Sequence, residues 1–167
     1  LEIIVYADED DLDSHDLGSI NTNVTVLTGP RVTMGQMYTS CFERATGDIV
    51  VMVNDDVDIL TNGWDTFIRK IHTKYPDGVY LAYPDDLYKR KPTFPIISRK
   101  CAEILQDPYP TEYLGAFIDT HLVDVFKRLE QKGFSRIHFL KNVKFEHRHY
   151  RAGKSAPDPT YLSRPRF

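Results

Sequence analysis

The sequence predicts an α/β domain, with a mostly parallel central sheet flanked by helices. Three observations predict it. Short apolar runs rich in β-branched residues recur at Ile3–Tyr6, Val24–Thr28 and Ile49–Val53. Stretches of helical periodicity alternate with them. Two of the runs empty directly into acids, at Asp8–Asp11 and Asp55–Asp58, and in open α/β sheets ligands bind beyond the carboxyl ends of the strands.

The elements follow in order. Glu2–Tyr6 reads as a buried strand, and Val24–Thr28 as a second, closed by Gly29-Pro30. A helix follows, because Thr33 with Gln36 three residues on is a capping box and Gly47 lies just past its far end. Ile49–Val53 is a continuous β-branched run, the pattern of a central strand covered on both faces. Trp64, Phe67, Ile68 and Ile71 fall at helical spacing within a helix near Asn62–Lys74, stopped by Pro76-Asp77-Gly78. Val79–Tyr83 is a further strand. Residues 84–95 read as a charged loop, and Phe94–Ile97 as a strand leading to a short helix from Ser98. Ile118, Leu122, Val125, Phe126 and Leu129 mark a long helix ended by Gly133. Phe134–Leu140 and Val143–Phe145 are late strands. Residues 1–150 form the domain, and 151–167 an irregular basic tail.

A chain of 167 residues, 41% apolar and 27% charged, is of one-domain size and ordinary globular composition, which excludes a disordered or collagen-like chain. No apolar run reaches the ~18 residues of a membrane span, and no signal-peptide pattern is present. Cys41 and Cys101 stand far apart, in no zinc or disulfide pattern, and read as buried thiols of a cytoplasmic protein. A net charge of −3 gives no general affinity for nucleic acid or anionic membrane. Its distribution is polar: seven acids in residues 1–20, and five Lys/Arg against one acid in 148–167.

Asp55, Asp56 and Asp58 would repel one another at a strand end, and a divalent cation removes that cost. Oxygen ligands of this kind suit Mg²⁺ or Mn²⁺, which keep waters and bind substrate phosphates. A solvated turn capping the next helix is the alternative.

The run Cys41-Phe-Glu-Arg-Ala-Thr-Gly-Asp-Ile-Val-Val-Met-Val-Asn-Asp-Asp-Val57, followed by Gly63-Trp64, resembles the core of family 2 glycosyltransferases of the GT-A fold. The shared pattern is a helix ending in Ala-x-Gly-Asp (Ala45, Gly47, Asp48), an apolar strand, a DxD-like triplet (Asn54-Asp55-Asp56), then Gly-Trp. Leu1–Asp11 resembles the family's second strand with its acidic end. The family's first strand and helix have no counterpart before Leu1, so either they lie outside this sequence or the expected GT-A-like (Rossmann-like) sheet is a shortened version. Asn54 stands where the family more often has an acid.

The resemblance implies a metal-dependent inverting glycosyltransferase that moves a sugar from a nucleotide-diphospho-sugar to an acceptor hydroxyl on a saccharide, a protein or a modified nucleobase. Asp56 would bind the metal bridging the diphosphate, with Asp58 beside it. Asn54 and Asp55 would reach the ribose or sugar, and Asp8 and Asp10 the base or ribose. Asp119, at the start of the long helix, takes the position of the family's general base. A capping role at the helix N-terminus is its alternative, and Glu112 is a second candidate base.

His147 and His149 follow the strand Val143–Phe145, and alternation puts both on one face if that strand continues. Many GT-A enzymes take a further metal ligand from a late histidine, and His147 is the first choice, His149 the second. In GT-A enzymes such a late segment often closes over the diphosphate, so the resemblance implies that Arg148, Arg151 and Lys154 meet it, with a solvated tail as the alternative. Tyr88-Lys-Arg-Lys91 is a second basic cluster, suited to an anionic acceptor or simply solvated. Two other functions fit the same residues: a nucleotidyltransferase on a related sheet, or a GT-A-like module that binds without catalysing.

Overall fold

The computed structural model describes residues 1–89, 91–113 and 117–156. It is α/β, built on two sheets. Strands β1 (Ile3–Asp8) and β2 (Val24–Gly29) pair in parallel, Ile3 opposite Val24. One-turn helices α1 (Leu12–His15) and α2 (Leu17–Ile20) fill the connection between them. Helix α3 (Met34–Arg44) starts on both halves of the expected capping box: the Gln36 N–H donates to the Thr33 hydroxyl, and the Thr33 N–H donates to the Gln36 side chain.

The second sheet has five strands. Their spatial order is β3 (Ile49–Val51), β6 (Ile96–Ser98), β5 (Leu81–Asp85), β7 (Ile137–His147), β4 (Val57–Ile59). Only β5 and β7 run parallel; β3–β6, β6–β5 and β7–β4 are antiparallel. The expected mostly parallel sheet is therefore corrected to a mixed one. The reason lies in the connections. β6 returns beside β5 across a loop that contains no helix, so it can only run back against it.

Strands β3 and β4 occupy opposite edges of this sheet, yet only residues 52–56 join them. So short a link forces the sheet to curl. The bend is in β7, where Pro84 faces Leu140 but the next residue, Asp85, faces Lys144. The two late strands expected from the sequence are thus one strand with a bulge, which re-aims its second half. Of Ile49–Val53, expected as a central strand, Ile49–Val51 form an edge strand of half-buried residues paired, among the described residues, only with β6, while Met52 is buried and Val53 exposed.

Helices fill the two faces. α4 (Trp64–Lys74) buries Ile68 and Ile71 against Tyr80, Ala82 and Ile96. α6 (Ile118–Gln131) buries Ile118, Leu122 and Phe126, one turn apart, and α5 (Arg99–Leu105) buries Cys101 and Ala102 behind its Ser98 cap. Ile68, Ile71, Ile118, Leu122 and Phe126 match the periodicity read from the sequence, whereas Phe67, also at helical spacing, is exposed. No helix among the described residues is long and apolar enough to cross a membrane.

Candidate functional site

The register of β4 on β7 sets Val57 opposite His147. Asp56, one residue before Val57, thereby meets His147: Nε2 lies 3.1 Å from Asp56 Oδ2, and the Arg148 N–H donates to the Asp56 carbonyl at 2.8 Å. His147 is buried and Asp56 half-buried. Burial alone would raise the pKa of Asp56. The hydrogen bond and charge of His147, with the charge of His149, outweigh it and hold the carboxyl below the usual carboxylate range. Asp56 Oδ1 and His147 Nδ1 are both buried with no hydrogen-bond partner. Buried polar atoms are usually paired, so each points to a missing partner.

Asn54, just past the end of β3, accepts a hydrogen bond from the Tyr38 hydroxyl of α3. Burial drives the Tyr38 pKa up, and the negative charges of Asp119 and Asp55 add to the shift. Tyr38 also packs on the cluster that contains Ile118 of α6, so α3, the DxD-like turn and the start of α6 meet around it. Asp119 is half-buried, and desolvation raises its pKa against the opposing pull of Thr120 and Lys91. A carboxylate that holds its proton more tightly than usual is a stronger base once ionised. Glu112 is exposed in the segment before residues 114–116, which lie outside the described residues.

At the end of β1, Asp8 accepts from Arg31 Nε at 2.9 Å, and Asp10 lies 3.6 Å from Arg31 Nη2. Asp8 Oδ1 is buried and unpartnered. The tail is partly ordered against the site. Arg148 pairs with Asp58 at 2.7 Å and Lys154 with Glu146 at 2.9 Å, and Arg151 lies over the Tyr150 ring in a 3₁₀ turn at Tyr150–Ala152. The rest of the tail, residues 157–167, lies outside the described residues, as does Arg90 of the basic cluster.

Asp56 and His147 thus touch, whereas Asp58 is engaged by Arg148. The His149 ring stacks on Tyr150 and Tyr88 and accepts the Arg151 N–H at Nδ1. Burial and the neighbouring His147 charge lower the His149 pKa and favour its neutral form. No group of three or more His, Cys, Asp or Glu side chains among the described residues is arranged to hold a metal. A two-residue site of Asp56 and His147, with one orphaned carboxylate oxygen, still fits an ion that takes its remaining ligands from water and phosphate.

Sequence reasoning missed three contributors. Tyr38 belongs to no sequence motif, yet its hydroxyl donates to Asn54. Phe94 packs edge-on to the His147 ring at 5.1 Å. Asp86 is buried; its Oδ1 accepts the Tyr88 and Lys89 N–H groups, its Oδ2 the Thr93 hydroxyl, and its carbonyl the His147 N–H. It ties the basic loop to the strand that carries His147. The signal was present, since Asp85-Asp86 closes a third apolar strand with acids.

Cys41 and Cys101 are free thiols whose pKa values burial pushes up to about 11, so neither is a ready nucleophile. No family model, curated protein or solved structure matches the chain.

Proposed function

We propose that the chain is a metal-dependent inverting glycosyltransferase that moves a sugar from a nucleotide-diphospho-sugar to an acceptor hydroxyl. The observation that carries this reading is the Asp56–His147 contact at the mouth of the curled sheet, with a buried carboxylate oxygen left unpartnered beside it. Asp119 and the DxD-like turn both bear on Tyr38, which supports a single site.

Asp56 and His147 would hold Mn²⁺ or Mg²⁺. The bound ion supplies charge to offset that growing on the departing diphosphate. Asn54, held by the Tyr38 hydroxyl, and Asp55 beside it would face the ribose or sugar. Asp8 and Asp10 take the base or ribose hydroxyls, exchanging part of their pairing with Arg31. Arg151 and Lys154 would meet the diphosphate, Lys154 leaving its pairing with Glu146. Asp119 removes the proton from the acceptor hydroxyl as it attacks the anomeric carbon. Two unpaired, un-ionised thiols are in keeping with a reducing, cytoplasmic setting.

A panel of nucleotide sugars, each with and without Mn²⁺, tests the reading. At least one donor should raise Tm only with metal and release nucleoside diphosphate. Pyrophosphate release would instead identify nucleotidyl transfer, and no metal-linked binding by any donor would leave a non-catalytic module.

A further inference from the structure

The net charge of −3 conceals a basic face. Residues 59–75 and 134–145 together hold six Lys/Arg and one acid, Asp65. The structure brings the two segments together. β4 pairs with β7 over residues 145–147 and then turns across the bulge. The Leu60 N–H donates to the Lys144 carbonyl, and the Lys144 N–H donates to the Thr61 hydroxyl at 2.8 Å. The chain then enters α4, whose Phe67 closes a shallow hollow of about 230 Å³ against residues 139–143 of β7.

The face is apolar as well as basic. Leu60 is 51% exposed, Ile59 44%, Phe139 40% and Phe67 37%. On α4 the stripe of Phe67, Lys70 and Lys74 borders the buried stripe of Ile68 and Ile71, which sets both lysines beside the exposed ring. Lys70 Nζ lies 5.8 Å from its centroid. On β7, Lys141 lines the hollow and Lys144 follows the bulge. Arg69 and Arg136, in the same segments, are paired with Asp65 and Asp77. Among the described residues, Lys70, Lys74, Lys141 and Lys144 make no ion pair.

We propose that this face docks the protein on an anionic lipid bilayer, with Leu60, Phe67 and Phe139 entering the acyl boundary and the lysines at the level of the phosphates. Exposed apolar side chains inside a collar of lysines are the composition of an interfacial anchor. Each lysine held near an anionic leaflet adds attraction, and its stem can lie along hydrocarbon while the ammonium stays among the headgroups. Lipid fits the face better than other anions do. A nucleic-acid strand stacks its bases on aromatic rings, but Leu60 and Ile59, both more exposed than either phenylalanine, offer no ring. An acidic peptide needs a groove, and a hollow of this size holds a side chain or a short acyl segment. A second copy in two-fold contact would bring the same lysines together. Residues 157–167 of this chain carry two arginines against one aspartate and offer no complementary charge. Nothing in this docking requires the proposed activity.

The test is flotation of the full chain with phosphatidylcholine vesicles that contain about a third phosphatidylserine, and with pure phosphatidylcholine vesicles. Binding to the anionic vesicles should exceed binding to the neutral ones at least about tenfold, and most of the excess should vanish as salt rises to about 0.5 M. Lys70→Glu with Lys141→Glu should cut binding at least about tenfold. Arg44→Glu with Lys127→Glu makes the same change of charge on α3 and α6 and should cut it far less. Leu60→Ser with Phe67→Ser should also lose binding while unfolding remains cooperative, because both side chains are exposed. If that variant fails to fold, Leu60→Trp carries the test: beyond the signal of Trp64, its emission should shift to the blue on anionic vesicles and be quenched by lipids brominated in the acyl chain. Four results overturn the proposal. They are no binding to anionic vesicles, equal losses in the two charge-reversed pairs, binding indifferent to Leu60 and Phe67 or a tryptophan at position 60 that acyl bromine does not quench, and the same face held more tightly by a single-stranded oligonucleotide, an acidic peptide or a second copy than by the vesicles.

Discussion

Asp86→Ala is the sharpest test of how the loop and the site are joined. The side chain is 1% exposed and among the described residues accepts hydrogen bonds from the N–H groups of Tyr88 and Lys89 at 3.0 Å each and from the Thr93 hydroxyl at 2.8 Å. Alanine leaves all three donors without this acceptor. At about 1 kcal/mol for each bond, the expected loss is about 3 kcal/mol. For a chain of this length that lowers Tm by roughly 6–12 °C. Asp86→Asn keeps one carbonyl oxygen for the two backbone donors and should lose only about 1 kcal/mol. Urea unfolding of the three proteins measures both, with the slope as a check that the denatured state is unchanged. The alanine variant should also weaken metal-linked nucleotide binding, since it loosens the loop whose residue-86 main-chain carbonyl, kept in alanine, accepts the His147 N–H. A loss below about 1 kcal/mol for alanine, or equal losses for alanine and asparagine, would refute the reasoning.

Asp119→Asn should slow transfer by roughly 10²–10⁴-fold and leave donor affinity unchanged, with steady-state kinetics as the readout. The same change should raise Tm at neutral pH. The raised pKa means Asp119 favours the native state when protonated, and that contribution is lost as pH rises through the native value. The acidic limb of the pH–rate profile should accordingly lie above the ordinary carboxylate range. Gly35→Ala should destabilise by about 1–3 kcal/mol on urea unfolding, because a Cβ there meets the Pro110 carbonyl oxygen at 2.3 Å. That backbone clash exceeds the ~1 kcal/mol gain in helix propensity.

Local signals survived into the structure wherever the chain decides them locally. Thr33 and Gln36 make the capping box, Ser98 caps α5 through the Cys101 N–H, and Ile118, Leu122 and Phe126 bury one stripe of α6. Strand direction did not survive, because nothing in Ile96–Ser98 or Val57–Ile59 encodes which neighbour each will meet. The centre-strand reading of Ile49–Val53 followed from composition, and composition reports what covers a strand rather than what pairs with it.

The candidate site was legible as residue types at strand ends, at Asp8 and Asn54–Asp56, and at a helix start, Asp119. Which of them touch was not legible. The bulge in β7 and the short link over residues 52–56 bring His147 to Asp56 across 91 positions of sequence. The same local crowding sends Arg148 to Asp58. Asp86 was overlooked because its chemistry is spent on its own loop, inside a stretch that read as charged and solvated.

The central claim, a divalent cation held by Asp56 and His147 and required for nucleotide binding, is tested most directly by calorimetric titration. Uridine and guanosine diphosphates are titrated into the protein with and without Mn²⁺, in wild type and in Asp56→Asn. The account predicts Mn²⁺-dependent binding of at least one nucleotide in the wild type, and its loss in Asp56→Asn with the cooperative fold retained. Binding that is equally strong without metal, or metal dependence unchanged in Asp56→Asn, would contradict it.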